Sequence, residues 1–550
     1  MARGGLIAAL AGLFLLAHGA SALTGAFERK SLGSRFTPSH GEITHVPGFQ
    51  GPLPSKHYGG YITVDEAAGR HLYYYVALSE SDPAGDPVLL WLNGGPGCSS
   101  FDGFLYEHGP FNFQFTDESY SRLRLTANPF AWNKAATVVF LDSPAGVGLS
   151  YSETPGDYVT NDTQTAADTE VFLRRFFERY PELREQDFYI TGESYAGIYV
   201  PNAVRAVVEG NRKGREPAIN IQGYLVGNGC TDAEFDGNAL PPFAAGKSLI
   251  SQRMYSKLDR DCDGNYWKAR DDGDCAARLA DIQEDLSALN IYDILEPCRH
   301  GPKPPAPSPS QPAGPSHLQP ASASSSSSSS AASAGGGAGA EVAAGAAFAR
   351  ALREREQLRA RAAERYSSLL RTHRGWPVTG AVPDGRVANW AQLMGGLSHA
   401  PPCTDDSEGS LWLNDPAVRS ALHAAPIDAV GAPWTVCSDR IIYTHDAGSM
   451  IWIHREMTQK RGLRALIYSG DHDMAVPHTG TEAWTAALGL KKRSGWQPWY
   501  VGSPRQVAGY RVEYEGLTFA TIKGAGHMVP QNKPAESLAM LQRFLSGETL

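Results

Sequence analysis

Between Tyr73 and Tyr224 short apolar runs alternate with helical stretches: VLLWL, ATVVFLD, the amphipathic TAADTEVFLRRFFERY, DFYI and NIQGYLV. Runs this short and apolar read as strands buried on both faces. The long segments between them are what parallel neighbours need, because a tight turn cannot join a parallel pair. The pattern predicts an α/β fold on a central, mostly parallel sheet with crossover helices. It resumes late in the chain in LRALIYSG and LTFATIK, each a strand candidate followed by a loop.

What lies between the two halves reads as an interruption. After Gly229 the pattern loosens into polar, cysteine-bearing helices, and PKPPAPSPSQPAGPSHLQPASASSSSSSSAASAGGGAGA follows. Such a segment buries too little apolar surface to offset the entropy of ordering it, so residues 301–346 are expected to be a disordered linker. The next stretch, FARALREREQLRARAAERYSSLLRTHR, is rich in helix formers and arginine. Phe348, Leu352, Leu358 and Leu369 keep no clean helical period, so a solvated helix is expected rather than a membrane-surface one. The resulting division is a leader over 1–22, the first part of the core over 23–230 and a helical insertion over 231–300. The linker over 301–346, the rest of the insertion with its arginine-rich helix over 347–400, and the second part of the core over 401–550 complete it. A chain of 550 residues accommodates one large domain with such insertions.

The leader, MARGGLIAALAGLFLLAHGASALTG, has one arginine, an apolar run from Leu6 to Ala17 and the small-residue pattern Ala20-Ser21-Ala22. That is the arrangement of a cleaved secretory signal, and the run is short for a membrane span. Export permits disulfides, so the seven cysteines, none spaced as CxxC, read as bridges plus one odd thiol rather than metal ligands. Asn161-Asp162-Thr163 is a glycosylation sequon. The net charge of −9, with no basic block, sets nucleic acid aside as a partner. No later stretch is long and apolar enough to anchor the chain in a membrane once the signal is removed.

Four motifs carry chemistry. GESYAG places Ser194 in G-x-S-x-A directly after the DFYI strand, the pattern of a nucleophile elbow, where small flanking residues permit a tight strand-to-helix turn. YSGDHDMAVP follows a late strand and offers two acids, Asp471 and Asp473; the spacing to the proline favours Asp473. TIKGAGHMVPQNKPAE presents His527 from a glycine-rich turn near the C-terminus, so serine, acid and histidine arrive in the chain order of α/β-hydrolases. WLNGGPGCSS ends a buried strand in a loop suited to supply one oxyanion N–H, the other coming from Tyr195, the residue after the serine. It lacks the Lys-Ser/Thr or GxGxxG spacing of a phosphate loop. No histidine begins HExxH or HxxE, so the residues give a zinc peptidase no ligand signature, and no metal or cofactor is expected.

With these motifs in order, and with GNG-TD-EFDGNAL, YDILEPC, PCTDD, SGD-D-AVP-TGTEAW and GAGHMVP, the chain resembles the plant-type serine carboxypeptidases over roughly residues 45–300 and 400–548. The resemblance implies an α/β-hydrolase fold interrupted by a helical, disulfide-bearing insertion and a removable linker. It implies Ser194, Asp473 and His527 as the triad, with the backbone N–H groups of Gly95 and Tyr195 as the oxyanion hole. It assigns Asn93, Gly94, Glu107 and Glu193 to the substrate's C-terminal carboxylate. Crowding Glu107 and Glu193 against that carboxylate requires a retained proton, which implies an exopeptidase of acidic pH acting on the C-termini of peptides and proteins. Met528 stands where members favouring basic residues carry an acid, implying an apolar leaving residue.

The resemblance further implies the pairings Cys98–Cys437, Cys262–Cys275 and Cys298–Cys403, with Cys230 left over in place of the usual small aliphatic residue. It makes a homodimer compatible with the chain and points to the secretory pathway, with a vacuolar, lysosome-like or extracellular destination. The nearest rival is an acyltransferase of the same fold using sugar-ester donors. That branch keeps the triad but often alters the asparagine of WLNGGPG, which is intact here as Asn93. A non-catalytic protein would need a broken triad, and no motif is broken.

Overall fold

The computed structural model describes residues 41–114, 123–267, 273–298 and 403–550, with the backbone of the two-residue strand Arg386–Val387. The leader, the segment 301–346 and the arginine-rich stretch lie outside the described residues. Eleven strands of the main sheet run in the order Glu42–Ile43, His57–Asp65, Arg70–Ala77, Thr137–Leu141, Val88–Leu92, Phe188–Glu193, Ile221–Gly227, Arg464–Gly470, Leu517–Ile522, Gln506–Tyr514 and Lys492–Val501. From Thr137–Leu141 to Leu517–Ile522 every neighbouring pair is parallel. Outside that centre both edges turn antiparallel. The edges are the hairpins His57–Asp65/Arg70–Ala77 and Lys492–Val501/Gln506–Tyr514, which extend the sheet the alternating pattern predicts.

Central strands carry apolar runs without alternation because successive side chains enter different cores. Phe188 and Ile190 pack on one face with Phe172, Phe176, Val200 and Val204 of the helices Asp162–Arg179 and Ala196–Arg212. Tyr189 enters the other face, with Trp91, Trp132 and residues Met540 and Leu541 of the helix Pro534–Ser546. The period of two along a strand thus feeds two layers of helices, and both must be apolar for the sheet to be dry.

The helices that follow the strand Ile221–Gly227 build a third, smaller core. Phe243, Leu258, Ile282 and Leu286 pack with Ile291 and Tyr292, and Met474 and Ala475 join from the loop after Arg464–Gly470. The disulfide Cys262–Cys275 closes this helical layer. Cys98–Cys437 and Cys298–Cys403 join positions 339 and 105 residues apart, on either side of the stretch between the two halves of the sheet. Cys230 is free and buried, and burial pushes its thiol well up from its ordinary value. Among the described residues, no helix is long and apolar enough to cross a membrane.

Candidate active site

Parallel strands present their C-terminal ends to one edge of the sheet, and the residues singled out in the sequence gather there. Ser194 follows the last residue of Phe188–Glu193 and precedes the helix Ala196–Arg212. Its φ of 63° lies in the left-handed region, uncommon for a residue with a Cβ. Three bonds hold the turn: Ser194 N donates to Gly227 O at 3.1 Å, and Gly197 N and Cys230 N each donate to Ser194 O at 3.0 Å. The small neighbours are obligatory, since a Cβ at Gly192 would stand 2.4 Å from Leu92 O and 2.7 Å from Ala196 Cβ.

His527 is 3 % exposed, and its Nδ1 lies 2.7 Å from Asp473 Oδ2. Asp473 is fully buried; its Oδ1 accepts from Ala475 N and Val476 N, and its Oδ2 also accepts from Asn228 Nδ2 at 2.8 Å. Asp471 is engaged elsewhere, accepting from Gly524 N at 2.7 Å and lying 3.7 Å from Lys247. With Nδ1–H directed at the carboxylate, the other ring nitrogen is the hydrogen-bond acceptor of the neutral imidazole. His527 Nε2 is buried without a hydrogen-bond partner among the described residues, so no Ser194–His527 bond is closed here. Asn228, at the end of Ile221–Gly227, ties the neighbourhood together: it holds Asp473 and accepts from Gly470 N.

Beside Ser194 the loop after Val88–Leu92 comes so close that a Cβ at Gly94 would meet Tyr195 N at 2.4 Å and Ser194 Cβ at 2.7 Å. Gly95 has φ 114°. Neither the Gly95 nor the Tyr195 amide donates to another group among the described residues, as an oxyanion site requires. Asn93 is oriented from behind: Trp91 Nε1 donates to its Oδ1 at 2.7 Å and Gly103 N at 3.2 Å. That fixes the amide so that Nδ2 donates to Glu193 Oε1 at 3.1 Å.

Glu193 does not stand alone. One carboxylate oxygen from each of Asp102, Glu107 and Glu193 lies within 4.8 Å of the other two. Burial raises the pKa of Glu193 well above the carboxylate range, with Glu107 and Asp102 adding to it. Burial and then Asp102 raise Glu107 as well. Asp102 is pushed up to about 7 by burial and Asp406, with His527 opposing. Among the described residues this trio is the group with the spacing of an ion site, and retained protons are the other way to discharge such crowding. Sequence reasoning missed Asp102; its signal is the spacing Asp102-x4-Glu107, which sets both acids on one short helical stretch after WLNGGPGCSS. It also missed Asn228, although GNG directly follows a predicted strand. Asn161, the sequon residue, caps the helix Asp162–Arg179 through its side chain, which accepts from Gln164 N at 2.8 Å.

A family model described as serine carboxypeptidase matches residues 47–547. Serine carboxypeptidase 1 of Hordeum vulgare is 47% identical over 517 residues, covering 93% of this chain and 94% of that protein. Serine carboxypeptidase-like 21 of Arabidopsis thaliana is 44% identical, covering 94% and 96%, and the lysosomal protective protein of Mus musculus is 33% identical, covering 93% and 94%. A solved prohormone-processing carboxypeptidase from Saccharomyces cerevisiae shares the fold, with a TM-score of 0.61 over 93% of this chain and 97% of that one at 19% identity. With its α/β sheet, three disulfides and a family match spanning both halves of the core, the chain belongs to the serine carboxypeptidase family and is a serine-type carboxypeptidase.

Proposed function

We propose that this carboxypeptidase removes residues from the free C-termini of peptides and proteins at acidic pH, through an acyl-enzyme on Ser194. The observation that carries the reading is the junction at Glu193: the residue before the elbow serine is bonded to Asn93 and crowded by Glu107 and Asp102. A group that keeps a proton there donates to a substrate carboxylate, and an ionised one repels it. The terminal carboxylate is therefore recognised one peptide unit from the serine, and the scissile bond is the last one.

In this reading Ser194 Oγ attacks the carbonyl carbon while His527 Nε2 accepts its proton, and Asp473 holds the imidazole by Nδ1–H. The open Nε2 closes onto Oγ when substrate completes the site. The N–H groups of Gly95 and Tyr195 receive the oxyanion, the imidazolium returns its proton to the leaving amine, and water then hydrolyses the ester by the same route. Met528 packs against the apolar layer of Ile291, Tyr292 and Met474, which supports an apolar leaving residue. Three disulfides and the sequon at Asn161 support passage through the secretory pathway, and the lysosomal naming of the mouse relative supports an acidic destination.

The test is release of free amino acids from N-blocked dipeptides, read against acyl transfer from sugar esters to alcohols, which the same triad would support. Ser194→Ala is expected to fold and to lose peptide hydrolysis by about 10⁴-fold or more. Turnover above a few per cent, or ester transfer in place of hydrolysis, overturns the reading.

A further inference from the structure

Asp162 is 1 % exposed, yet its carboxylate belongs to none of the groups named above. Five donors converge on it. Oδ1 accepts from Tyr195 OH at 2.8 Å and Tyr443 OH at 3.0 Å. Oδ2 accepts from Asp446 N at 2.9 Å and Ala447 N at 3.1 Å, and lies 2.7 Å from His445 Nδ1. Three segments meet in one side chain: the start of the helix Asp162–Arg179, the residue after Ser194, and the loop after the strand Ile442–Thr444. That strand pairs in parallel with Val159–Asn161 and so brings the loop to Asp162.

The chemistry beside this network explains why so many bonds are spent on it. The left-handed Ser194 holds its conformation only where neighbours over-determine it. Gly227 and Cys230 fix the Ser194 side of the turn. On the other side Tyr195 is 1 % exposed, its ring packed at 5.1 Å from Tyr199 and 5.6 Å from Tyr443; its carbonyl accepts from Ile198 N, and its hydroxyl, bonded to Asp162 and 3.2 Å from His445 Nδ1, tethers the ring. Its N–H is the proposed oxyanion donor. We propose that Asp162 is a positioning residue that, by anchoring the Tyr195 hydroxyl together with His445, which touches both groups, sets the direction of the Tyr195 N–H at the oxyanion.

This inference rests on the assignment of Ser194 and Tyr195 under the proposed function, and the experiment separates the two. Tyr195→Phe and Tyr443→Phe each delete one buried hydroxyl from the same Asp162 oxygen while keeping the ring. If Asp162 only stabilises the fold, the two behave alike. If it positions the elbow, Tyr195→Phe alone lowers kcat, by about tenfold per site titrated with a fluorophosphonate, with KM within about threefold. His445→Ala, at a partly exposed position, gives a smaller loss of kcat of about threefold and keeps the test open should Tyr195→Phe fail to fold. Unchanged kcat in Tyr195→Phe or, where that variant does not fold, in His445→Ala overturns the inference, as does an equal fall in Tyr195→Phe and Tyr443→Phe. A wild-type enzyme that the fluorophosphonate does not label at Ser194 overturns the underlying assignment instead.

Discussion

Asn93 Nδ2 donates to Glu193 Oε1 across 3.1 Å, and the Trp91 indole fixes which way that amide faces. The pair joins the glycine-rich loop to the elbow and makes a carboxyl group part of the wall next to Ser194. Because the Glu193 pKa is raised, by burial first and then by Glu107 and Asp102, its protonated form persists well above the usual carboxylate range. Efficiency is therefore expected to be present at low pH and lost as pH rises through the raised value. Glu193→Gln, an amide that donates at any pH, is expected to lose about tenfold near pH 5 and distinctly less near pH 7.5. Profiles of kcat/KM that superimpose after scaling would refute this role.

Asp102 acts on the same equilibrium from outside. Its charge raises Glu107, so Asp102→Asn is expected to lower the Glu107 pKa and move the alkaline limb of the profile about half a pH unit toward acid. The measurement is the midpoint of that limb with one blocked dipeptide. A limb that stays in place or moves toward alkali contradicts the geometry.

Leaving-group preference is expected to follow the residue after His527. Met528→Glu introduces an acid into an apolar wall, and the ratio of kcat/KM for peptides ending in arginine to those ending in leucine is expected to rise by about tenfold. An unchanged ratio would place the specificity determinant elsewhere.

Folding stability carries two opposed pH dependences. Burial pushes His57, His108 and His454 down to about 3, so their contribution is complete above the ordinary histidine value and is lost as pH falls toward 3. Burial pushes Asp142 up to about 6 and Asp236 up to about 7, so their contribution is complete below the ordinary aspartate value and is lost as pH rises through 6 to 7. His108 is stacked at 4.2 Å on Trp132 with neither ring nitrogen bonded. His108→Phe is expected to remove roughly 1.4 kcal/mol of stability loss per pH unit below pH 6. Denaturation midpoints at pH 6.5 and 4 measure it, and parallel losses in both proteins would exclude His108 as a source.

Protease cleavage within 301–346 is expected to leave activity intact, because Pro/Ser/Gly-rich backbone is where proteases act and the sheet draws strands from both sides. Cys98–Cys437 and Cys298–Cys403 bridge the two sides. Protein from its native source is expected to run as one band on a non-reducing denaturing gel and as two after reduction. One band after reduction refutes processing, and two without reductant refute the bridging disulfides.

What the sequence determined by itself is local. The strand-then-turn pattern placed Ser194 on an elbow because Gly192 and Ala196 leave room that larger residues would close. The central strands were legible because burial on both faces leaves an uninterrupted apolar run. The edge hairpins were not, since residues half-facing solvent, as in Lys492–Val501, break that run with polar and charged positions. Tertiary structure decided what depends on approach across the chain. Asp471 and Asp473 sit in one loop, where spacing only favours the second until the fold brings His527 to it. Asp102 looks like a surface acid until the loop returns beside Glu193. Asp162 looks like the middle of a sequon until a strand from the far half sets Tyr443 and His445 against it. Hydrogen-bond donors and charges act over a few ångströms, and only the packed sheet brings residues hundreds of positions apart within that reach.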